Sequence, residues 1–300
     1  MGSGMKSKQQ GDAPLARPSL PKINWNWLGV MPFFLFALLF LILPASSLFV
    51  GSFQDNQGQF TFNNIKNLFT PYILNSYKLT IQVSLVTAVG GALFGFLMAY
   101  AVTLGGLPRW LRTALTTFSG VASNFAGVPL AFAFISTLGR VGLVTVILKS
   151  LGINIYQQGF NLYSFWGLCL TYMYFQFPLM VLIISPSLDG LRREWREACE
   201  NLGGSSWHYW RHVALPILTP ALISTTILLF GNSFGAYATA YALTGGSLNL
   251  VPIIIGAQIR GDVLHDTGLG YALALGMVVI MGASILGYTV LQNRASRWLR

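Results

Sequence analysis

Six windows of predominantly apolar residues, at about 28–50, 79–104, 113–138, 162–185, 214–238 and 269–291, are separated by polar or mixed stretches. A helix crossing the hydrocarbon layer needs about 20 such residues, because no water is present there to satisfy its backbone groups. The pattern predicts an all-α membrane protein with six transmembrane helices. Two apolar runs are too short to cross. VGLVTVIL at 141–148 lies between Arg140 and Lys149, and LNLVPIIIGAQI at 248–259 follows Gly245 and Gly246. Runs of this length suit interfacial or re-entrant pieces.

Between the windows the chain changes character. Residues 1–27 are polar, basic and rich in Gly and Pro, and read as a disordered tail, with the MGSG ahead of Met5 as an appended leader. FTFNNIKNLFTPYILNSY at 60–77 mixes aromatic and Asn residues, as expected for a lipid-interface segment. Residues 28–293 form the membrane domain, and 294–300 a short second tail. The sharpest departure is at 189–200, where Asp189, Arg192, Arg193, Glu194, Arg196, Glu197 and Glu200 crowd together in a chain that is only 9% charged.

Charge sets an orientation. With the N-terminus inside, thirteen of the 18 Lys and Arg residues fall on inner segments, against five outside (Lys66, Lys78, Arg140, Lys149 and Arg260). This asymmetry predicts cytoplasmic N- and C-termini and places 187–213 in the cytoplasm between the fourth and fifth spans. The net charge of +10 then marks membrane topology rather than nucleic-acid binding. Cys169 and Cys199 make no disulfide framework or metal-ligand spacing. His208 and His212 stand four apart without the glutamate of an HExxH motif. No GxxxxGK[ST] phosphate loop occurs, so any ATP chemistry belongs to another chain.

The charged segment reads as a helix, a bend and a second helix. Ser187 is placed to cap the first helix and Gly203 to end it. Leu188, Leu191, Trp195, Ala198 and Leu202 recur at spacings of three and four, which predicts an apolar stripe seated on the bundle. Asp189 with Arg193, and Arg196 with Glu200, are placed for i,i+4 ion pairs. Ser205 or Ser206 is placed to cap a second helix carrying Trp207, Trp210 and Val213, and Pro216 opens the fifth span.

Glu197-Ala198-Cys199, Gly203 six residues after the Glu, Val213, and Leu215-Pro216 resemble the coupling loop of bacterial ABC importer permeases. That pattern is E-A-A, three residues, G, nine residues, I, one residue, L-P; Cys199 and Val213 are its two mild departures here. The resemblance spans about residues 60–295 and implies the type I importer permease fold, with a cytoplasmic coupling helix between spans four and five. It also implies residence in the bacterial inner membrane and four kinds of partner or ligand. These are two ATP-binding subunits carrying ATP and Mg, a second permease subunit, identical or not, an extracytoplasmic solute-binding protein, and the solute. The loop would dock on an ATP-binding subunit, with Glu197 and Gly203 foremost and Ala198 and Gly203 permitting close helix approach. This chain would hold no cofactor, metal or catalytic residue.

Within the superfamily, NNIKNLFTPYILNSYKLTIQVS, NFAGVPLAFAF, YFQFPLM and TGGSLNLVPIIIGAQI are most similar to spermidine/putrescine permeases, which implies a polyamine cargo; iron and phosphonate permeases are alternatives. Polar residues at membrane depth mark candidates for the translocation path: Asn124, Tyr172, Gln176, Asn232 and Tyr237, with Gln82 beside them. Pro129, Pro178 and Pro220 are candidate helix breaks. None of the eight carboxylates, Asp262 and Asp266 included, lies in a window, so selectivity is expected in the solute-binding protein. A gradient-driven secondary transporter and a non-transporting scaffold are the competing classes; the first would more often show ionisable residues within spans.

Overall fold

A computed structural model describes residues 26–55, 57–260 and 266–297, with side chains described from 29 to 290. Among these residues all regular structure is helical, apart from one isolated bridge between Gln54 and Phe60. The described residues include six helical stretches long and apolar enough to cross a membrane. The tail at 1–25, Asp262, His265 and residues 298–300 lie outside the described residues.

By compactness the chain divides into residues 1–47 and 48–300. In the first unit, α1 (Asn26–Ala37) passes through a π-helical turn at Leu38–Ile42 into α2 (Leu43–Ser52), which runs into the second unit. The second unit continues with α3 (Asn63–Asn67), where buried Asn64 donates to the Gln54 carbonyl at 2.8 Å. α4 (Pro71–Leu104) starts earlier than the hydropathy window because Pro71 sits in its first turn, where its missing N–H costs nothing. Residues 71–77, expected at the interface, are thus the first turns of the second span.

The third span is broken. α5 (Arg109–Asn124) and α6 (Val128–Leu138) replace the single helix expected over 113–138. Gly127 has φ +77°, which glycine adopts freely, and Pro129 then starts α6. Apolarity alone would place this span at Val128–Ser150. Turns at 139–142 interrupt that stretch, and α7 (Leu143–Ser150) is a separate short helix, while α5 packs along the helix Phe165–Asp189 and α6 on the helix Ala238–Thr244.

α8 (Phe165–Asp189) is the most buried span, and it packs most extensively on α4. The two run parallel, joined by small residues: a Cβ added at Gly91 would stand 2.7 Å from Gln176 Cβ, and one at Gly95 2.5 Å from Met180 Cβ. α5 runs antiparallel along α8, from Arg112 beside Asp189 to Phe125 beside Tyr174. After α9 (Arg193–Asn201) and α10 (Ser206–Tyr209), a π-helical turn at Trp210–Ala214 leads into α11 (Leu215–Phe234), antiparallel to α4 and α8. α12 (Ala238–Thr244), α13 (Val251–Arg260) and α14 (Thr267–Arg297) follow. The short apolar run expected at 248–259 is α13, and its Val251 N–H donates to Thr80 Oγ1 at 3.0 Å. Pro178 and Pro220 lie inside continuous helices, so of the three candidate prolines only Pro129 borders a break.

Three apolar clusters hold the unit. One joins α4, α6, α8, α12 and α13, a second joins α4, α8 and α11, and a third joins α4, α11, α13 and α14. The end of α4, the start of α5, the end of α8 and the start of α11 therefore share one end of the bundle, which carries α9 and α10.

Candidate functional site

Two regions concentrate unusual features. The first is the α9–α10 elbow. α8 runs on through Ser187 and Leu188, which is fully buried, and the chain breaks at 190–192. Ser187 is therefore not the N-cap; that position belongs to Arg192. At the other end the Gly203 N–H donates to the Glu200 carbonyl at 2.9 Å and the Gly204 N–H to the Cys199 carbonyl at 2.8 Å. This is a Schellman motif, with Gly203 at φ +77° in its left-handed position. Nothing among the described residues lies within 4 Å of where a Gly203 Cβ would be, whereas one at Gly204 would stand 2.6 Å from Cys199 Sγ. Within this chain, glycine at 203 answers to backbone conformation, and the close contact is at Gly204.

The apolar stripe does not seat the helix on its own bundle. Trp195 is 36% exposed, Leu202 89% and Trp207 67%, and no residue of α9 is buried. The anchors lie to either side. Trp210 packs edge-on against Tyr100 of α4 at 5.3 Å, and buried Tyr209 and Ala214 tie the second arm down. Ser205 caps α10, accepting from the His208 N–H. Val213 is half-buried, while Leu215 and Pro216 are exposed at the root of the fifth span.

Electrostatics organise the elbow from within. Arg196 and Glu200 pair at 2.9 Å as the spacing predicts, and Glu200, through this bond and its charge, pushes the guanidinium above its ordinary pKa. Glu197 pairs with Arg193 at 3.0 Å. Asp189 does not reach Arg193, because the helix breaks between them; it binds Arg112 instead. Between α9 and the bundle lies a cleft of about 570 Å³ lined by Tyr100, Arg193, Arg196, Glu197 and Trp210. Ala198 is exposed and Cys199 partly so. His208 and His212 stack at 5.8 Å, and no group of three potential metal ligands occurs among the described residues.

The second region is where two helix breaks meet. The break at 125–127 faces that at 235–237, and the Gly127 N–H donates to Thr239 Oγ1 at 2.7 Å. A groove of about 400 Å³ opens there, lined by Ser123, Gly127, Asn232, Tyr237 and Thr239. Of the predicted path residues the structure brings Asn232 and Tyr237 together here. Asn124 lies next to the lining residue Ser123 and donates to the Gly120 carbonyl at 2.9 Å. Gln82 is on an exposed face of α4.

Tyr172 and Gln176 are buried in the packing instead. The Tyr172 hydroxyl donates to the Ala236 carbonyl at 2.9 Å, pinning the second break. Gln176 Nε2 donates to the Leu229 carbonyl at 2.9 Å and to Ser233 Oγ, which shares a hydrogen bond with Thr87 Oγ1 at 2.8 Å. Sequence reasoning missed Thr239, Gly127 and the glycines of α4. The Gly-Val-Pro string at 127–129 and the small-xxx-small spacing of Gly91 and Gly95 were their available signals.

A family model described as the inner membrane component of binding-protein-dependent transport systems matches residues 91–300. The sulfate transport system permease protein CysT of Escherichia coli (strain K12) is 30% identical over 70% of this chain and 72% of its own length. A probable sulfate transport system permease protein of Nephroselmis olivacea is 25% identical over 94% of this chain and 99% of its own. Among solved structures, a bacterial ABC transporter that imports the acidic polysaccharide alginate superposes with a TM-score of 0.71 at 15% identity, over 90% of this chain and 95% of that one. The MetNI methionine ABC transporter, in an inward-facing conformation, gives 0.51 at 13% identity over 76% and 99%.

Proposed function

Because the chain belongs to the family of inner membrane components of binding-protein-dependent transport systems, we propose that it forms half of the membrane path of an ATP-driven importer for sulfate. The sulfate transport permeases among its relatives displace the polyamine expected from the sequence segments. The chain supplies the path, and two ATP-binding subunits carrying ATP and Mg supply the energy. A second permease subunit completes the path and an extracytoplasmic binding protein delivers the anion.

The observation that carries this reading is the α9–α10 elbow, with Trp195, Leu202 and Trp207 exposed beside a run of paired charges. An apolar face left open on a short, internally braced helix suits a partner protein. The end carrying α9 faces the cytoplasm, where Lys and Arg concentrate, and α14 ends on the same side. Closure of the ATP-binding subunits would push on α9, whose neighbours α8 and α11 carry the motion to the two helix breaks.

The test is uptake of radiolabelled sulfate by membrane vesicles holding the assembled importer. ATP-dependent uptake that survives dissipation of ion gradients supports the reading; gradient-driven uptake without ATP sinks it.

A further inference from the structure

Resting on the sulfate reading, we propose that Arg260 is the anion-selecting residue at the mouth of the path and that Tyr237 is the plug separating this mouth from the groove at the helix breaks. Gly235 and Tyr237 line the breaks groove and also a second groove of about 300 Å³, which is completed by Pro252, Gly256, Met277 and Arg260. The second groove opens at the end of the bundle opposite α9. Its outer wall is the end of α13, where Ile259 stands against Gly270 in the first turn of α14.

Charge is distributed in a particular way along the two grooves. Among their described lining residues Arg260 is the one charged side chain. The inner groove offers uncharged donors, the Asn232 amide and the hydroxyl of Thr239. A fixed positive charge carrying N–H donors makes charge-assisted hydrogen bonds to the oxygens of a tetrahedral oxyanion. Placed at the mouth, it attracts a dianion. Neutral donors beyond it replace hydration without trapping the ion, as passage requires.

Tyr237 stands between them on a seat made by a missing side chain. A Cβ at Gly256 would lie 2.9 Å from the ring's Cε2 and 3.1 Å from its hydroxyl. The ring stacks on Tyr241 at 5.5 Å, and its backbone belongs to the break pinned by Tyr172 and Thr239. A ring carried on a helix break can swing without unwinding either flanking helix.

The experiment uses proteoliposomes containing the complete importer. Tyr237→Ala should release preloaded radiolabelled sulfate without ATP at least tenfold faster than the native chain, and Tyr237→Phe, which keeps the ring, should stay tight. Adding Arg260→Gln to Tyr237→Ala should cut that leak about tenfold, and Arg260→Lys should restore it. In the otherwise native chain, Arg260→Gln should lower ATP-driven sulfate uptake about tenfold, with rescue by Lys; this arm stands even if Tyr237→Ala does not assemble. A tight Tyr237→Ala complex overturns the plug. Unchanged sulfate uptake in Arg260→Gln overturns the selecting residue while leaving the sulfate reading intact. A native importer that moves no sulfate overturns the reading and the inference together.

Discussion

Arg112, in the first turn of α5, donates through one guanidinium nitrogen to both carboxylate oxygens of Asp189, at 2.8 and 2.7 Å, closing the last turn of α8 onto the start of α5. The pair sits at the root of α9, where the chain turns out of the membrane helices. Both side chains are part-exposed, 39% and 50%, so water screens them and the pair contributes no more than about 1 kcal/mol. Arg112→Gln and Asp189→Asn should each lower the thermal unfolding temperature of the purified chain only slightly, and the double variant no further than either single one. Fully additive losses would show that the two side chains act independently.

At Gly203 the expected penalty follows the backbone. In the left-handed region a non-glycine residue costs about 1–2 kcal/mol, with Asn penalised least and β-branched residues most. ATP-dependent uptake should therefore fall in the order Gly, Asn, Ala, Val, with normal amounts of protein in the membrane. Equal loss for Asn and Val would shift the cause from the Schellman geometry to the space a partner needs at that position.

How far these features were legible depends on what each one rests on. Hydropathy reports burial in lipid or protein, so the spans and the short α13 could be read directly. The Gly203 bend was legible because glycine after an amphipathic helix has a backbone meaning. The stripe of Trp195, Ala198 and Leu202 was read as facing the bundle, since periodicity identifies an apolar face but not what covers it. Asp189 was paired with Arg193 on the premise of one continuous helix, which Gly190 interrupts. The break at 125–127 lies where a mixed polar first half of the window, with Ser123 and Asn124, meets the strongly apolar run from Val128, and the window as a whole hid that change. The contact between Gly127 and Thr239 joins positions 112 residues apart, beyond any local pattern.

The three glycines of α4 separate by what each one faces. A Cβ at Gly90 would meet the terminal methyl of Met173 at 2.6 Å, which a flexible side chain can yield. At Gly91 and Gly95 it would meet the Cβ atoms of Gln176 and Met180, which move only with the α8 backbone. Gly90→Ala should be nearly silent, while Gly91→Ala and Gly95→Ala should each cost about 1–3 kcal/mol through overpacking. Membrane abundance and unfolding temperature of the three variants check this. Three equal effects would indicate a response to helix propensity rather than to the α4–α8 contact.

The seat of the Tyr237 ring gives a prediction that does not depend on the cargo. Gly256 lies on α13, so alanine there suits the helix intrinsically, by about 1 kcal/mol over glycine. Against that gain, the new methyl would overlap the edge of the ring, with Cε2 at 2.9 Å and Cζ at 3.2 Å from the added carbon. The ring stacks on Tyr241 on its other side, so it can make room only by turning away from α13 or by displacing the break that carries it. Gly256→Ala should therefore lower transport several-fold while the protein remains as stable as the native chain or slightly more so. Tyr237→Ala in the same chain removes the overlap. The pair should be non-additive: in Tyr237→Ala, adding Gly256→Ala should raise the unfolding temperature by the full helix-propensity gain, which the single Gly256→Ala variant shows only in part. Identical shifts in the two backgrounds would mean that the ring does not rest on Gly256.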